Sequence, residues 1–329
     1  MIRSALSLML VCTVMQIQPA ECAAEEAVFR IGMIGLDTSH VIAFTKAING
    51  DDKNGCRVVA GYAGGSPDVT SSASRVDTYT AQLRDEFGLK IVDSIETLCT
   101  MVDGILLESV DGRPHLTQVR PVIAAGKPVF IDKPMAGNLA DVLEIFRLAE
   151  QAKVPCWSSS SLRFSPGILS MRHSDELGQV MGCAAFGPCA LEEHHPDLYW
   201  YGVHGVEILF TIMGPGCQSV RRVQTEGTEH VVGLWQGGRI GTFRGIRAGK
   251  KDYGAMVFGA KKVLLSGRYE GYQGLVDQII NFFKTGDVPV PAAETLEIFA
   301  FMSAADKSKA LGGAEVSLAS VLREARNSR

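Results

Sequence analysis

The 329-residue chain lacks the features that mark several specialised classes of protein. It has no excess of positive charge, because 32 Lys and Arg residues are set against 36 Asp and Glu residues, for a net charge of −4. This balance argues against a protein that binds nucleic acid through a basic surface. No repeat or low-complexity tract is evident, and 46% hydrophobic with 21% charged residues is a globular composition that excludes disorder and collagen-like structure.

The cysteines form no C-x-x-C pair, which argues against a zinc ribbon. Two of the eight lie within the first 24 residues. The other six follow no spacing that prescribes disulfides, and a chain of this size does not need them. We therefore expect buried free thiols at these six positions: Cys56, Cys99, Cys156, Cys183, Cys189 and Cys217.

Long apolar runs are also missing, except near the N-terminus. Arg3 precedes an apolar run at residues 6–15, and small residues follow up to Ala24. This pattern is typical of a secretory signal peptide, whereas the run is too short to span a bilayer comfortably. Without a twin arginine, it predicts Sec-type export to the periplasm or the extracellular space. We expect cleavage after Ala24 and a mature chain without a membrane span.

The pattern of predicted strands and helices differs between two segments of the chain. In residues 25–160, six short apolar strands alternate with helical patterns, which predicts a Rossmann-like, doubly wound parallel sheet in an α/β domain. In residues 161–329, strand-like runs separated by glycine-containing turns predict an α+β domain with an open, mainly antiparallel sheet. The last of them is one run at residues 255–265, and a final helix is expected at about residues 294–311.

Two motifs contain groups suited to catalysis. Lys133, between Asp132 and Pro134, directly follows the fifth strand, where ligands of doubly wound folds bind. A lysine there can hold a substrate hydroxyl and pass on its proton, although a surface lysine is an equal alternative. His204 and Glu207 are three residues apart on a predicted helix and suit acid–base chemistry, although a histidine satisfied by a local carboxylate is the commoner case.

Further imidazoles precede that helix. His194 and His195, with His204 and Glu207, would supply enough ligands for a divalent cation. Their spacing matches no standard metal motif, so a polar loop that lines a substrate site is favoured and no metal site is predicted.

Several motifs together resemble the glucose–fructose oxidoreductase/inositol dehydrogenase (Gfo/Idh/MocA) family. Asp132-Lys133-Pro134 resembles its Glu-Lys-Pro hallmark. Residues 162–166, Leu-Arg-Phe-Ser-Pro, resemble its Arg-Phe-x-Pro segment, and residues 202–207 resemble its Gly-x-His-x-x-Asp helix. Ala304-x-x-Lys307-Ser308-x-x-x-Gly312 resembles its closing helix. The matches span nearly the whole mature chain in order.

The resemblance implies a Rossmann domain that binds NAD or NADP, a second α+β domain, and a homodimer or higher oligomer joined through the open sheet. It also implies hydride transfer to or from a carbohydrate carbon. Lys133 would orient the reacting hydroxyl, His204 would shuttle its proton, and Glu207 would position the substrate. The resemblance places the cofactor contacts at Gly35, Asp37, Thr38, Ser39, His40, Glu108, Ser109, His115, Asp132 and Arg163, the last near the cofactor or the substrate.

The dinucleotide fingerprint departs from the family pattern. Gly-x-Gly-x-x-Gly is replaced by Gly35-Leu36-Asp37-Thr38-Ser39-His40, so only the first glycine is present. Asp37 adds a negative charge where a pyrophosphate would approach the helix. No acidic residue ends the second strand to bind an adenosine ribose. These changes leave open whether NAD(P) is exchanged freely, tightly bound in a shifted pose, or lost, and whether residues 37–40 form part of an active site or Thr38 and Ser39 simply cap the helix.

Three functions follow from these observations. The first is an exported oxidoreductase that acts on a sugar, a polyol or a related carbohydrate with NAD(P). The second is a glycoside hydrolase or lyase on the same scaffold, with tightly bound NAD or none. The third is a non-catalytic carbohydrate-binding protein. The altered fingerprint favours the second and third, whereas Lys133 and His204 favour the first and second.

Overall fold

The computed structural model describes residues 28–328, so the predicted signal peptide lies outside the described residues. The first half of this region forms a six-stranded, wholly parallel sheet in the order β3-β2-β1-β4-β5-β6. This is the strand order of a Rossmann domain and confirms the predicted fold class. Its strands are β1 (Phe29–Ile34), β2 (Cys56–Tyr62), β3 (Lys90–Val92), β4 (Gly104–Leu107), β5 (Val129–Ile131) and β6 (Cys156–Ser158).

Helices alternate with these strands: α1 (Ser39–Asn49), α2 (Thr70–Ala73), α3 (Val76–Asp85), α4 (Ile95–Met101), α5 (His115–Ala124) and α6 (Leu139–Ala152). The predicted caps are confirmed for α4 and α6, because the side chains of Ser94 and Asn138 accept hydrogen bonds from backbone N–H groups in the first turns of these helices. The short helix α2 was not predicted, because four residues carry too little periodicity to be read from a sequence.

The second half forms a seven-stranded mixed sheet in the order β12-β11-β7-β10-β9-β8-β13. All neighbouring pairs are antiparallel except β7 and β10, so the prediction of a mainly antiparallel sheet is confirmed. The strands are β7 (Val180–Pro188), β8 (Cys217–Thr225), β9 (Thr228–Trp235), β10 (Ile240–Ile246), β11 (Gly254–Gly259), β12 (Val263–Leu265) and β13 (Val316–Ser317). The single run predicted at residues 255–265 is in fact a hairpin of β11 and β12.

Helices cover one face of this sheet. α8 (Val203–Met213), α10 (Ala292–Ala310) and α11 (Leu318–Asn327) pack on its strands, and α7 (Pro166–Leu169) packs on α8. A further helix of this half, α9 (Gln273–Thr285), packs elsewhere. The predicted final helix is present as α10, but the prediction that it ends the fold was wrong, because α11 follows Gly312 and Gly313. Those two glycines have positive φ angles and turn the chain rather than end it.

The chain does not keep its two sheets wholly separate. Helix α9 comes late in the sequence, yet its Leu275, Ile279 and Phe282 pack in one buried cluster with Phe44 and Trp157 of the first sheet's layer. The six cysteines at positions 56–217 are free and buried, as predicted. Within residues 28–328, none of the helices has the length and hydrophobicity that a membrane span requires.

A fully buried arginine anchors the second sheet. Arg222 on β8 binds Glu229, with Nε and Oε2 2.6 Å apart, and also binds Asp197 and Asp306. Burying these charges is tolerable only because every charge has a partner. The neighbouring Arg221 points the other way and pairs on the surface with Glu315.

We expect Arg222→Met to lower the free energy of unfolding by about 3–5 kcal/mol, because the buried Glu229 carboxylate loses a partner. Arg221→Met is the matched control and should change it by less than about 1 kcal/mol. Urea unfolding followed by circular dichroism measures both. Equal losses in the two variants would contradict the role assigned to the buried cluster.

Candidate active site

A cleft of about 340 Å³ lies at the carboxyl edge of the parallel sheet, where the second domain meets it. Five residues predicted from the sequence line it together: Thr38, Ser39, His40, Lys133 and His204. The other walls come from α2, the residue before α3, the loop after β4, the segment after β6, the turn before α8, and the loops before β11 and α9. They are Ser71, Arg75, Val110, Ser161, Leu162, Trp200, Tyr201, Tyr253, Tyr269 and Tyr272. The cleft is thus polar at its base and aromatic along its walls.

The base of the cleft is built from strand ends. Asp132 follows β5 and accepts a hydrogen bond from, or shares a proton with, His40 at the start of α1, with Oδ2 and Nδ1 2.6 Å apart. Burial alone would raise the pKa of Asp132, but His40 and Lys133 hold it at about 2. The carboxyl group is therefore ionised at neutral pH. Lys133 is only 8% exposed and joins the next residue through a cis peptide bond to Pro134.

His204 faces the cleft from α8. Its Nδ1 lies 2.7 Å from the hydroxyl oxygen of Ser160, which follows β6. Burial, together with the nearby Lys133 ammonium and His40, lowers the pKa of His204 well below its usual range. The imidazole is therefore neutral at pH 7 and is able to accept a proton.

Glu207 is placed differently from His204, although both were predicted as catalytic residues. Its carboxylate binds Arg163, with Oε2 and Nε 2.8 Å apart, and Arg163 also binds Glu294 at 2.7 Å. All three side chains are buried, and Glu207 and Arg163 are not among the cleft's lining residues. Their ion pair fixes α8 against the segment after β6, and through it the position of His204, rather than contacting the cleft itself.

The predicted contacts at the cofactor loops are mostly internal contacts of the protein. Gly35 has a φ of +82°, and a Cβ atom there would lie 2.4 Å from the backbone of Ser109. His115 is fully buried, with one ring nitrogen 2.9 Å from the Ser109 carbonyl oxygen and the other 3.1 Å from that of Met135. These residues hold the loops after β1, β4 and β5 against one another.

The Asp37 carboxylate, at the position where the fingerprint normally has glycine, is hydrogen-bonded by other groups of the protein. It accepts hydrogen bonds from the Ser72 hydroxyl at 2.5 Å and from the Val110 backbone N–H at 2.9 Å, and burial raises its pKa. Thr38 caps α1 by accepting a hydrogen bond from the His40 N–H at 3.4 Å, so the helix-capping alternative holds for Thr38. Ser39 is the first residue of the helix and lines the cleft.

A second network ties the loop after β2 to the loop after β4. Asp111 accepts hydrogen bonds from Ser66 at 2.7 Å and from Arg113, and its carboxylate lies 3.0 Å from His195. Burial would raise the pKa of Asp111, but these donors hold it well below its usual range. Arg113 continues the network to Asp68. The loop after β2, where a Rossmann domain would bind an adenosine, is thereby held against the loop after β4.

These contacts decide how well a dinucleotide fits. In a Rossmann domain the second fingerprint glycine lets the pyrophosphate approach the backbone, and the adenosine lies beyond the end of the second strand. Here the buried carboxylate of Asp37 lies where the pyrophosphate would approach the backbone. The hydrogen-bond network of Asp111 joins the loops where the adenosine would lie. The cleft includes the start of α1 and Arg75, but no residue between β2 and Ser71 lines it. The residues present therefore do not fit NAD(P) in the pose that the fingerprint normally provides.

Three tyrosines of the site were not predicted from the sequence. Tyr253, Tyr269 and Tyr272 lie far from any motif, yet the ring centroids of Tyr272 and His40 are 4.9 Å apart and those of Tyr253 and His204 are 5.9 Å apart. The sequence feature that could have pointed to them is the occurrence of three tyrosines within residues 253–272. Conversely, Tyr199 and His195 come from the predicted substrate loop but are buried against Ser303 and Asp111.

Comparison with known proteins agrees with the motifs. Residues 29–160 match the family model GFO_IDH_MocA, described as "Oxidoreductase family, NAD-binding Rossmann fold". No curated protein matches the chain. Among solved structures, scyllo-inositol dehydrogenase from Lactobacillus casei with bound NAD(H) and scyllo-inositol aligns with a TM-score of 0.73 at 13% identity, over 89% of this chain and 99% of that one.

An oxidoreductase from Agrobacterium radiobacter in complex with NAD+, L-tartaric acid and magnesium aligns with a TM-score of 0.72 at 16% identity, over 90% of this chain and 100% of that one. Identities this low show a shared fold, while the family model identifies the Rossmann domain. The predicted resemblance is therefore confirmed: residues 29–160 match the Gfo/Idh/MocA oxidoreductase family model, and the chain shares the fold of these two solved structures.

Proposed function

We propose that this protein is an enzyme that acts on a carbohydrate by proton transfer in the cleft, without exchange of free NAD(P). The observation that carries the proposal is the meeting of Lys133 with a neutral, buried His204 in one aromatic-walled cleft whose adenosine side is closed. This supports hydrolysis or elimination at a glycoside, which was the second of the functions derived from the sequence.

Two groups of the cleft supply the acid–base chemistry. The Lys133 ammonium is a fixed positive charge that would hold a substrate hydroxyl and stabilise negative charge as it develops on that oxygen. In the tautomer in which His204 Nδ1 carries the ring proton and donates it to the Ser160 hydroxyl oxygen, Nε2 is the ring nitrogen able to take a proton. Such a pair suits removal of a proton from a carbinol or from the carbon beside a carbonyl group.

The walls suit a sugar ring. Tyr201 is 40% exposed and stands 5.7 Å, centroid to centroid, from His204. Tyr253, Tyr269 and Tyr272 follow around the cleft with successive ring centroids 6.2–6.3 Å apart. Aromatic faces pack against the apolar faces of a sugar while their hydroxyl groups serve its polar edge. We infer a carbohydrate substrate from this combination.

A second candidate is an NAD(P)-dependent oxidoreductase acting on a sugar or polyol. The match of residues 29–160 to an NAD-binding family favours it, as do structural neighbours solved with NAD. A bound nicotinamide would supply the hydride chemistry of that reaction, and Lys133 would orient the reacting hydroxyl. We also propose export, on the signal-peptide pattern of residues 1–24.

We further propose that the protein is a homodimer joined through its open sheet. Exposed apolar residues are frequent on the outer face of β7–β12, where Arg221, His230 and Arg244 lie among them, and such a surface is typical of a protein interface. Its exposed members are Met181, Val223, Val232, Leu234, Ile240, Met256, Phe258, Val263 and Leu265. A second copy of the chain would cover the same face of its partner, as the fold family implies.

Cofactor content separates the two candidate reactions. We expect the purified mature protein, after denaturation, to release no stoichiometric NAD or NADP, because Asp37 and the closed loop occupy the dinucleotide's place. Mass spectrometry of the released small molecules measures this, and calorimetry with added NAD+ and NADP+ should show no saturable binding. Stoichiometric dinucleotide, or tight binding of either, would contradict the expected absence of a cofactor and indicate redox chemistry in the cleft, whether net, as in the second candidate, or transient, in a hydrolase that keeps its NAD bound.

Loss of Lys133 or His204 should abolish turnover. The assay is release of p-nitrophenolate from p-nitrophenyl glycosides, with inositols and NAD+ at 340 nm as the oxidoreductase arm. We expect Lys133→Met and His204→Asn to lower kcat/KM by about 10²–10⁴-fold each. Lys127→Met, a change at a lysine outside the cleft, is the matched control. Full activity in Lys133→Met would refute its assigned role.

The same assay has a predicted pH profile. Because the pKa of His204 is lowered well below its usual value, the imidazole stays neutral in mild acid. The rate should therefore fall only as the pH drops through that lowered pKa, below the ordinary histidine value of about 6.5. An acid limb centred at or above that value would show that His204 is not the base.

Oligomeric state tests the proposed interface. Phe258→Asp places a charge among the exposed apolar residues of this face and should convert a dimer to a monomer in sedimentation or light scattering. Leu311→Asp, at an exposed leucine after α10, is the control and should leave the dimer intact. A monomeric wild-type protein would contradict the proposed dimer.

A further inference from the structure

Three side chains from three separate elements converge beneath the floor of the cleft. His40 comes from the first turn of α1, Glu108 directly follows β4, and Asp132 directly follows β5. One potential ligand atom from each lies within 4.8 Å of the other two. His40 Nδ1 is 2.6 Å from Asp132 Oδ2 and 4.0 Å from Glu108 Oε2.

The carboxylate oxygens in this group lack partners. Glu108 is fully buried, and neither of its oxygens has a hydrogen-bond partner among residues 28–328. Asp132 is 1% exposed, and its Oδ1 is likewise unpartnered in this part of the chain. Buried polar atoms are nearly always satisfied, so three such oxygens beside one imidazole indicate a ligand that the protein atoms alone do not supply.

We propose that His40, Glu108 and Asp132 bind one divalent transition-metal ion, of the class of Zn²⁺ or Mn²⁺. One imidazole with two carboxylates is a donor set that such ions accept. In the sequence, only the histidines near α8 suggested a metal, and their spacing predicted no metal site. Binding of the ion depends neither on the proposed reaction nor on the identity of the substrate.

The surroundings prepare the ligands for an ion. The His40 ring lies against Phe44, with centroids 5.3 Å apart and planes 15° apart, and against the edge of Tyr272. These contacts hold the imidazole so that Nδ1 faces the two carboxylates. An ion there would take the place of the proton between His40 and Asp132, and its binding would release protons.

The position of the site gives the ion access to substrate. His40 and Lys133 line the cleft, while Glu108 and Asp132 lie directly below it. Three protein ligands leave at least one coordination position open, as in catalytic metal sites, and here that position would face the cleft. An ion so placed would bind a substrate oxygen next to Lys133 and His204.

Charge also favours a cation at this point. Glu108 and Asp132 are both buried, and one oxygen of each lies within 4.8 Å of a His40 ring nitrogen, so two carboxyl groups share a space that water hardly reaches. A divalent cation there would compensate the charge of both. Lys133, which lines the cleft, is the nearby positive charge.

The chain offers a control for weak surface binding. Glu192, Glu193 and His194 also bring potential ligand atoms together, but their side chains are partly or largely exposed, and His194 is already bound to Glu192 at 2.8 Å. Exposed acidic groups of this kind are common without an ion. A change at Glu193 should therefore not affect a buried site at Glu108.

The test is a titration of chelator-treated full-length mature protein with Mn²⁺, which binds thiols poorly and so avoids the six buried cysteines. We expect one saturable equivalent by calorimetry. Glu108→Gln, an isosteric change, should weaken binding by at least about tenfold, a loss as large as those produced by changes around metal ligands. Glu193→Gln should bind as the wild type does.

A second readout does not depend on a variant. The electron spin-echo spectrum of Mn²⁺ bound to the wild-type protein should show coupling to an imidazole ¹⁴N, and His40→Gln should remove it. No saturable binding of Mn²⁺ or Zn²⁺ by the folded wild type would overturn the proposal. Unchanged affinity in folded Glu108→Gln, or a bound ion without nitrogen coupling, would do so as well.

Discussion

The burial of negative charge at the carboxyl edge of the parallel sheet is the constraint on which the site depends. Asp37, Glu108 and Asp132 all lie there with at most 1% of their surface exposed. Isolated carboxylates in such a place are costly, so each must gain hydrogen bonds, a cation or a proton. Asp37 uses backbone and hydroxyl donors, Asp132 uses His40 and Lys133, and Glu108 has no hydrogen-bond partner among the described residues.

This constraint explains why the cleft has a polar floor and a closed side. The donors that satisfy Asp37 come from Val110 and Ser72, so the loops after β4 and β2 are drawn toward α1. Asp111 extends the same closure through Ser66 and Arg113. A Rossmann edge that would otherwise accept two phosphates is thereby occupied by the protein's own carboxylates, while the half next to the second domain stays open to a ligand.

Much of this was predictable from the sequence. Apolar strands alternating with helices gave the parallel sheet, because periodicity and caps such as Asn138 act locally. The meeting of Lys133 and His204 followed from motif order. The hairpin of β11 and β12 and the final helix α11 were missed, because short elements without strong turn signals depend on tertiary packing.

The partners of charged residues were the least predictable feature. Glu207 and His204 share a helix face three residues apart, yet Glu207 binds Arg163 and His204 contacts Ser160. The group of His40, Glu108 and Asp132 joins residues up to 92 positions apart, a proximity that exists only after strands β1, β4 and β5 pair. Spacing along the chain reports neighbours on one helix and carries no information about such contacts.

The two occupants considered for this edge respond oppositely to its charge. A dinucleotide would bring two phosphate charges to a helix start that already faces Asp37, and electrostatic repulsion would oppose its binding there. A divalent cation would be attracted by the same carboxylates and would offset their charge. Asp37, in the turn after β1, and Glu108, directly after β4, therefore act together. Both make this edge less suited to an anion and better suited to a cation.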